Sequence, residues 1–183
     1  MTASRTAVVT GGAGFIGSHM VELLMGKGFD VRVIDNLTGG REANVARYQG
    51  DPSFTLVVKD IRDLKPGEPA FAGADYVFHF AGIGDIVPSI ERPAEYMSVN
   101  VQGTVAVLEA ARAAKVRKLV YAASSSCYGL ASVPTREDHP IDPKYPYALS
   151  KYQGEQAVFH WHKVYGLPAN AICIFNAYGP RVR

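Results

Sequence analysis

Tyr147 and Lys151 stand four residues apart in Tyr147-Ala148-Leu149-Ser150-Lys151, so on a helix a phenol and an ammonium would share one face. A phenol, with an ordinary pKa of about 10, is a poor base near neutrality, and a neighbouring cation brings it toward use. Taken alone, the same spacing more often marks a solvated helix face. Ser124-Ser125-Ser126 follow Tyr121-Ala122-Ala123 at the end of an apolar run. That puts hydroxyls at the carboxyl end of a strand, where open α/β sheets place ligands and reactive side chains. The plainer reading of three serines is a polar turn.

Upstream, Thr10-Gly11-Gly12-Ala13-Gly14-Phe15-Ile16-Gly17 follows Val8 and Val9 and opens a helical pattern of Ile16, Met20, Leu23 and Leu24. Strand, glycine turn and helix in that order let backbone approach a pyrophosphate, whose charge then meets a helix N-terminus. Gly26 and Gly28 are placed to cap the helix, and Val31 to Ile34 reads as a second buried strand closing at Asp35. A carboxylate at that point accepts hydrogen bonds from an adenosine ribose 2′-hydroxyl, whereas a 2′-phosphate would meet like charge. Arg41 is the only basic residue soon after Asp35, so NAD is favoured over NADP. The alternative is that Asp35 merely caps the next segment.

The elements that must position these residues are legible. Besides the first two strands, Phe54 to Val58, Tyr76 to Phe80, Lys118 to Ala122 and Ala171 to Phe175 are short and rich in branched or aromatic residues. Helical segments alternate with them. One is expected over Tyr96 to Lys115, with Val101, Val105, Leu108 and Ala111 on one face, and another from Tyr147 past Trp161, with Gly154, Val158, Trp161 and Tyr165 on a stripe. Strands alternating with helices predict an α/β fold, a doubly wound parallel Rossmann-type sheet. The proline-rich stretch Pro134 to Pro146 is expected to be a surface loop bordering a site.

Composition narrows the function classes. The 183 residues are 48% hydrophobic and 20% charged with a formal net charge of +2, which excludes disorder and coiled coil and suggests no nucleic-acid or anionic-membrane partner. Cys127 and Cys173 have no C-x-x-C spacing, so no metal is expected and a reducing cytoplasm fits best. Met1-Thr2-Ala3-Ser4-Arg5 leads straight into a strand without a signal-peptide core, and the longest charge-free stretches are too polar to span a bilayer.

Glycine turn, strand-end serine, then Tyr and Lys on the next helix occur in an order that is recognisable as a whole. The chain resembles the extended short-chain dehydrogenase/reductase family, in its NAD-dependent nucleotide-sugar epimerase/dehydratase branch, over essentially its full length. Gly11, Gly14, Phe15, Ile16 and Gly17 resemble the fingerprint of that family, and Asp35-Asn36-Leu37-Thr38-Gly39-Gly40 its adenosine-ribose loop. Asp60-Ile61 resembles the pair that meets adenine, Phe80-Ala81-Gly82 the turn after the fourth strand, and Asn100-Val101-Gln102-Gly103-Thr104 the motif that steadies the sheet; the resemblance implies that Phe80, Ala81, Gly82, Asn100, Tyr147 and Lys151 also contact the cofactor. Ser124, Tyr147 and Lys151 match the catalytic residues, and Ser125 and Asn176 match substrate-contacting positions.

The resemblance implies a mechanism. Tyr147 would take a proton from a sugar hydroxyl at C4 while hydride passes to NAD, leaving a 4-keto sugar; Ser124 would bond the reacting oxygen and Lys151 hold the nicotinamide ribose. Dehydratases of the branch carry an acidic pair where this chain has Ser125 and Ser126, which favours 4-epimerisation. The alternatives are a dehydratase or single-step dehydrogenase/reductase of the same family, or a non-catalytic NAD-binding fragment. Galactose epimerases place a lysine at the Gly84 position, so the sugar is left open. Asp85 reads either as a substrate contact or as a cap, His79 as a packed residue, and Cys127, Tyr128 and the Trp161 stripe as core.

By the same resemblance, residues 1–183 are one NAD-binding domain carrying Ser, Tyr and Lys, with the substrate domain that follows in relatives largely missing after Arg183. A nucleotide-sugar substrate and a homodimer formed through the two long helices are expected on the same ground.

Overall fold

The computed structural model describes residues 4–182, so Met1, Thr2 and Ala3 of the leader reading, and Arg183, lie outside the described residues. Six runs become strands: β1 Thr6–Thr10, β2 Asp30–Asp35, β3 Phe54–Val58, β4 Tyr76–His79, β5 Lys118–Ser124 and β6 Ala169–Ile174. They form one parallel sheet in the order β3-β2-β1-β4-β5-β6, the doubly wound order that the alternation predicts. β1 is buried along its whole length because both faces of the sheet are covered.

Alternate strand residues feed two cores. Ala7, Val9, Val31 and Val33 face helix α1, Phe15–Gly26, through Val21 and Leu24. On the other face Val8, Ile34, Leu119 and Tyr121 pack with Val107, Leu108 and Val158. These last come from α4, Gly103–Ala113, and α5, Pro146–Tyr165; two short helices, α2 Ile86–Glu91 and α3 Pro93–Met97, lead into α4.

Local chemistry shifts several expected boundaries. The helix expected from Tyr96 to Lys115 starts at Pro93, since proline suits a first helical position, widens into a π-turn over Ser98–Gln102, and ends at Ala113. Gly26 lies within α1 rather than capping it; Gly28, at φ +72°, takes the left-handed position beyond the end. β6 begins two residues early, and β5 runs on through Ser124. On the expected α5 stripe, Gly154 and Val158 are buried and Trp161 is half-buried, but Tyr165 is exposed, past the edge of the sheet. Cys127 and Tyr128 are core residues, as read. Pro134 to Tyr145 is irregular, as expected of a loop, and Pro146 opens α5.

His79 ends β4 fully buried and hydrogen-bonded on both ring nitrogens, to Thr10 Oγ1 at 2.7 Å and Thr104 Oγ1 at 3.0 Å. Thr104 spends its proton on the Asn100 carbonyl at 2.6 Å, so it must accept from His79 Nε2–H, and Nδ1 must then accept from Thr10. Burial, with Lys151 nearby, pushes the imidazole down to about 3. An unfolded imidazole takes a proton below its ordinary pKa, and the folded one does not until far lower pH. Stability is therefore complete above about pH 6.5 and falls with acid. Between pH 6.5 and 5, denaturant unfolding should show the native chain losing about 1 kcal/mol per pH unit more than His79→Gln. Equal slopes would show that His79 is not held neutral.

Candidate functional site

A parallel sheet aligns the carboxyl ends of all its strands on one edge, and the order reverses between β1 and β4. Thr10, Asp35, Val58, His79, Ser124 and Ile174 end their strands there, so the segments after each one meet over the crevice. The result is a cleft of about 650 Å³ joined to a recess of about 320 Å³ through Ile16, Phe80, Gly82, Ile83, Gly84 and Ala122.

The cleft takes its shape from the glycine turn. At Gly11, φ +69°, a Cβ would lie 2.6 Å from the Ala81 backbone nitrogen, so only glycine lets the β1 turn nestle against the β4 turn. At Gly17 a Cβ would sit 2.1 Å from the Gly11 carbonyl oxygen, so the third glycine lets α1 start against the turn. Helix α1 has neither a capping side chain nor an acid in its first turn, which leaves its first N–H groups facing the cleft for an anion.

Asp35 is buried at the floor of the adjoining wall. Its Oδ2 accepts from the Ala13 N–H at 3.0 Å and its Oδ1 from the Leu37 N–H at 2.9 Å. The capping alternative is thus part of what Asp35 does, and further lone-pair sites of the carboxylate remain for a diol. Asn36 donates to Asp60 at 3.0 Å, and Arg62 grips Asp60 through Nη2 at 2.7 Å, which pulls that carboxyl down to about 2. Thr38, Gly39 and Ile61 complete this end.

The structure adds three cations that the sequence reading passed over, one of them Arg92, paired with Glu95 at 2.8 Å. Lys59 and Arg62 reach the cleft from the end of β3, but Lys59 is paired with Glu68 and Arg62 with Asp60, each at 2.7 Å. None of these charges stands uncompensated for a 2′-phosphate. The only signal for Lys59 and Arg62 was their position beside Asp60 after a strand.

The recess gathers Ser124, Ser125, Tyr147, Lys151 and Asn176, as the sequence expects. Ser124 caps the turn Ser125–Tyr128 by accepting from Ser126 N–H at 3.2 Å and donates to Ser126 Oγ at 3.1 Å. The polar-turn reading holds, and the cap fixes the rotamer that the reactive reading would need. The Tyr147 hydroxyl stands 3.5 Å from Ser124 Oγ, a long contact of the kind that tightens around a ligand. Lys151 is buried, and burial pushes it down to about 8. Asn176 is exposed on the segment after β6, which Arg181 ties back to α1 through Glu22 at 2.7 Å and His19 at 2.6 Å.

Asn100, expected at the cofactor, stands behind the wall instead. Its amide accepts from Ile83 N–H at 2.8 Å and donates to the Ile83 carbonyl at 3.0 Å and to Ser150 Oγ at 2.9 Å. Tyr96, which the sequence reading missed, donates from its hydroxyl to the Gly84 carbonyl and sets its ring edge-on to Tyr147. Its spacing of one helical turn before Asn100 was the available signal. Asp85 occupies the cap position of α2 at φ +78° but makes no side-chain capping bond, so the capping reading fails for its side chain.

Comparison with known proteins agrees with this layout. Residues 7–183 match the NAD dependent epimerase/dehydratase family. The UDP-glucose 4-epimerase of Mycolicibacterium smegmatis is 39% identical over 177 residues, covering 95% of this chain and 56% of the relative. The UDP-N-acetylglucosamine 4-epimerase of Methanobrevibacter ruminantium, solved with UDP-N-acetylmuramic acid, superposes with a TM-score of 0.91 at 31% identity, covering 98% of this chain and 57% of that one. The dTDP-glucose 4,6-dehydratase of Streptomyces venezuelae, solved with NAD, gives 0.90 at 35% identity, with 97% and 57% covered. The chain spans a little over half the length of these relatives.

Asn100→Ala should strip three buried or half-buried partners at once and lower stability by about 2–4 kcal/mol in chemical denaturation. A loss below about 0.5 kcal/mol would show that the 83–85 wall is held by other contacts.

Proposed function

The chain belongs to the NAD-dependent epimerase/dehydratase family, and from that premise we propose that it carries the cofactor-binding and proton-transfer half of a nucleotide-sugar 4-epimerase. The observation that carries this reading is the makeup of the recess. It holds Ser124, Tyr147 and Lys151 but no carboxylate among its lining residues. Dehydration at C5 and C6 needs an additional acid and base, which Ser125 and Ser126 cannot supply. A reversible oxidation at C4 needs only a base, a hydrogen-bond donor and a hydride acceptor.

The cleft suits NAD by its own chemistry. The glycine turn and the uncapped start of α1 offer N–H groups to a pyrophosphate, and Asp35 offers a buried carboxylate to a ribose diol. Asn36, Thr38, Gly39, Asp60 and Ile61 would enclose the adenosine end; Phe80, Ala81, Gly82 and Lys151 would hold the nicotinamide end. When bound, NAD supplies a hydride acceptor that later returns the hydride.

The chain's own residues manage the proton. Tyr147 takes it from the C4 hydroxyl as the C–H bond gives up its hydride, and hands it back when the ketone is reduced from its other face. Ser124 lies where its hydroxyl can bond the same oxygen, and the Lys151 ammonium stabilises negative charge on the Tyr147 oxygen. Asn176, exposed and lining the recess, would be a contact for the sugar. The family relation and the half-exposed apolar side chains of α5, Phe159 and Val164 among them, support a homodimer through α4 and α5. No described helix is long and apolar enough to cross a membrane; the two free cysteines fit the reducing, cytoplasmic setting we propose.

Calorimetric titration of the cofactor-stripped chain should give saturable NAD binding at least about ten-fold tighter than NADP, and Asp35→Ser should narrow that ratio. Absence of NAD binding would overturn the proposal. In a polypeptide with measurable epimerase turnover, Tyr147→Phe should cost about 10²-fold or more in kcat while NAD binding persists.

A further inference from the structure

Lys151 is the only cation lining the recess among the described residues, and no carboxylate lies within ion-pair distance of it. What its ammonium meets is an aromatic face: Nζ stands 4.3 Å from the centroid of the Tyr121 ring. Tyr121 comes from the middle of β5, is fully buried, and packs its ring against His79 at 5.4 Å. Its hydroxyl donates to the Lys151 backbone carbonyl at 3.3 Å, so ring and hydroxyl grip the same residue at two points. Helix α5 makes room for this with Gly154, where a Cβ would lie 2.5 Å from the Tyr121 oxygen.

We propose that Tyr121 is the positioning residue of Lys151, its ring bearing the ammonium as a cation–π partner and so fixing where that charge stands beside the Tyr147 hydroxyl. The proposal rests on the epimerase reading above for its purpose, though not for its geometry. A buried ammonium needs a partner, and a carboxylate would cancel the field that Tyr147 is to feel. A ring stabilises the cation without bringing a countercharge.

The groups facing Lys151 agree with this division. Tyr147 lies one turn before it on α5, and Glu155, half-buried one turn after it, acts on it only through space. His79 on β4 is held neutral, and burial pushes the Tyr121 phenol above its usual range, so it too is neutral. Burial drives Lys151 down against the raising pull of Tyr147 and Glu155, and a cation resting on a ring face is held in its charged form as well.

The test separates the ring's electrons from its shape. Tyr121→Phe, then di- and trifluorinated phenylalanine at the same position, keeps the packing while weakening the ring quadrupole stepwise. The Lys151 titration is followed in the 183-residue chain by NMR of ¹³Cε-labelled lysine, its signal assigned by its loss in Lys151→Met. The expected result is a titration near native for Phe that moves down with each fluorination, by about half to one pH unit across the series, at unchanged melting temperature. A flat titration across the series overturns the proposal, because a merely space-filling ring would give that. NAD affinity of the native chain is read in parallel. If the native chain fails to bind, the functional reading falls, while the titration still decides the role of Tyr121.

Discussion

A buried relay of hydrogen bonds with one direction ties the glycine turn to the helix that carries Tyr147, and the geometry of the cleft depends on it. Thr10 at the end of β1 donates to His79, His79 donates to Thr104, and Thr104 donates to the Asn100 carbonyl. The Asn100 amide donates to Ser150, and Ser150 donates to the Tyr147 carbonyl at 2.8 Å. Each hydroxyl has a single proton, so reversing any link would leave a buried donor or acceptor unpaired. The cost of breaking the relay is what holds the two halves of the site in register across the reversal point of the sheet. Neutral His79 is indispensable to this, since an imidazolium has no lone pair with which to accept from Thr10.

The cofactor side of the cleft obeys a similar economy. Asp35 is a structural acceptor for the Ala13 and Leu37 N–H groups, and that duty pins the glycine turn to the loop after β2. Held this way, the carboxylate keeps its place in the cleft wall, which is what the proposed ribose contact would need. Ser124 repeats the pattern in the recess, where its capping bond to Ser126 N–H fixes the hydroxyl facing Tyr147. For both residues the structural bond fixes the side chain in the place the proposed chemistry would use.

Most of the fold was legible in the sequence because a parallel sheet covered on both faces forces its strands into continuous apolar runs, and all six stand where those runs stand. The Ser124, Tyr147 and Lys151 constellation was legible because strand ends and helix spacing locate side chains without tertiary knowledge. What escaped was long-range. The π-turn at Ser98–Gln102 has no local signature, and it arises where Asn100 must reach both Ile83 and Ser150. Arg62 and Lys59 came into the cleft through the pairing of β3 with β2. Tyr121 read as one more strand aromatic, because nothing in a sequence says which ring lies under which ammonium.

The site divides into parts held with unequal firmness, and this bears on how substrate choice can vary. Ser124, Lys151 and Asp35 are buried and locked by backbone or ring contacts. Gly84, Asp85, Asn176 and Tyr178 are exposed, on segments that border the recess but contribute little to either core. Changes there cost little stability, since exposed positions have few contacts to lose. On the proposed 4-epimerase reading, the proton chemistry at Tyr147 would be common to any sugar whose C4 hydroxyl reaches it, and selection among sugars would fall to those rims. Asp85, with a left-handed backbone and no side-chain cap, is the clearest case of a residue held for something other than local stability. If the proposed reading holds, such a fold could change its sugar while the relay, the ring beneath Lys151 and the carboxylate at Asp35 stay as they are.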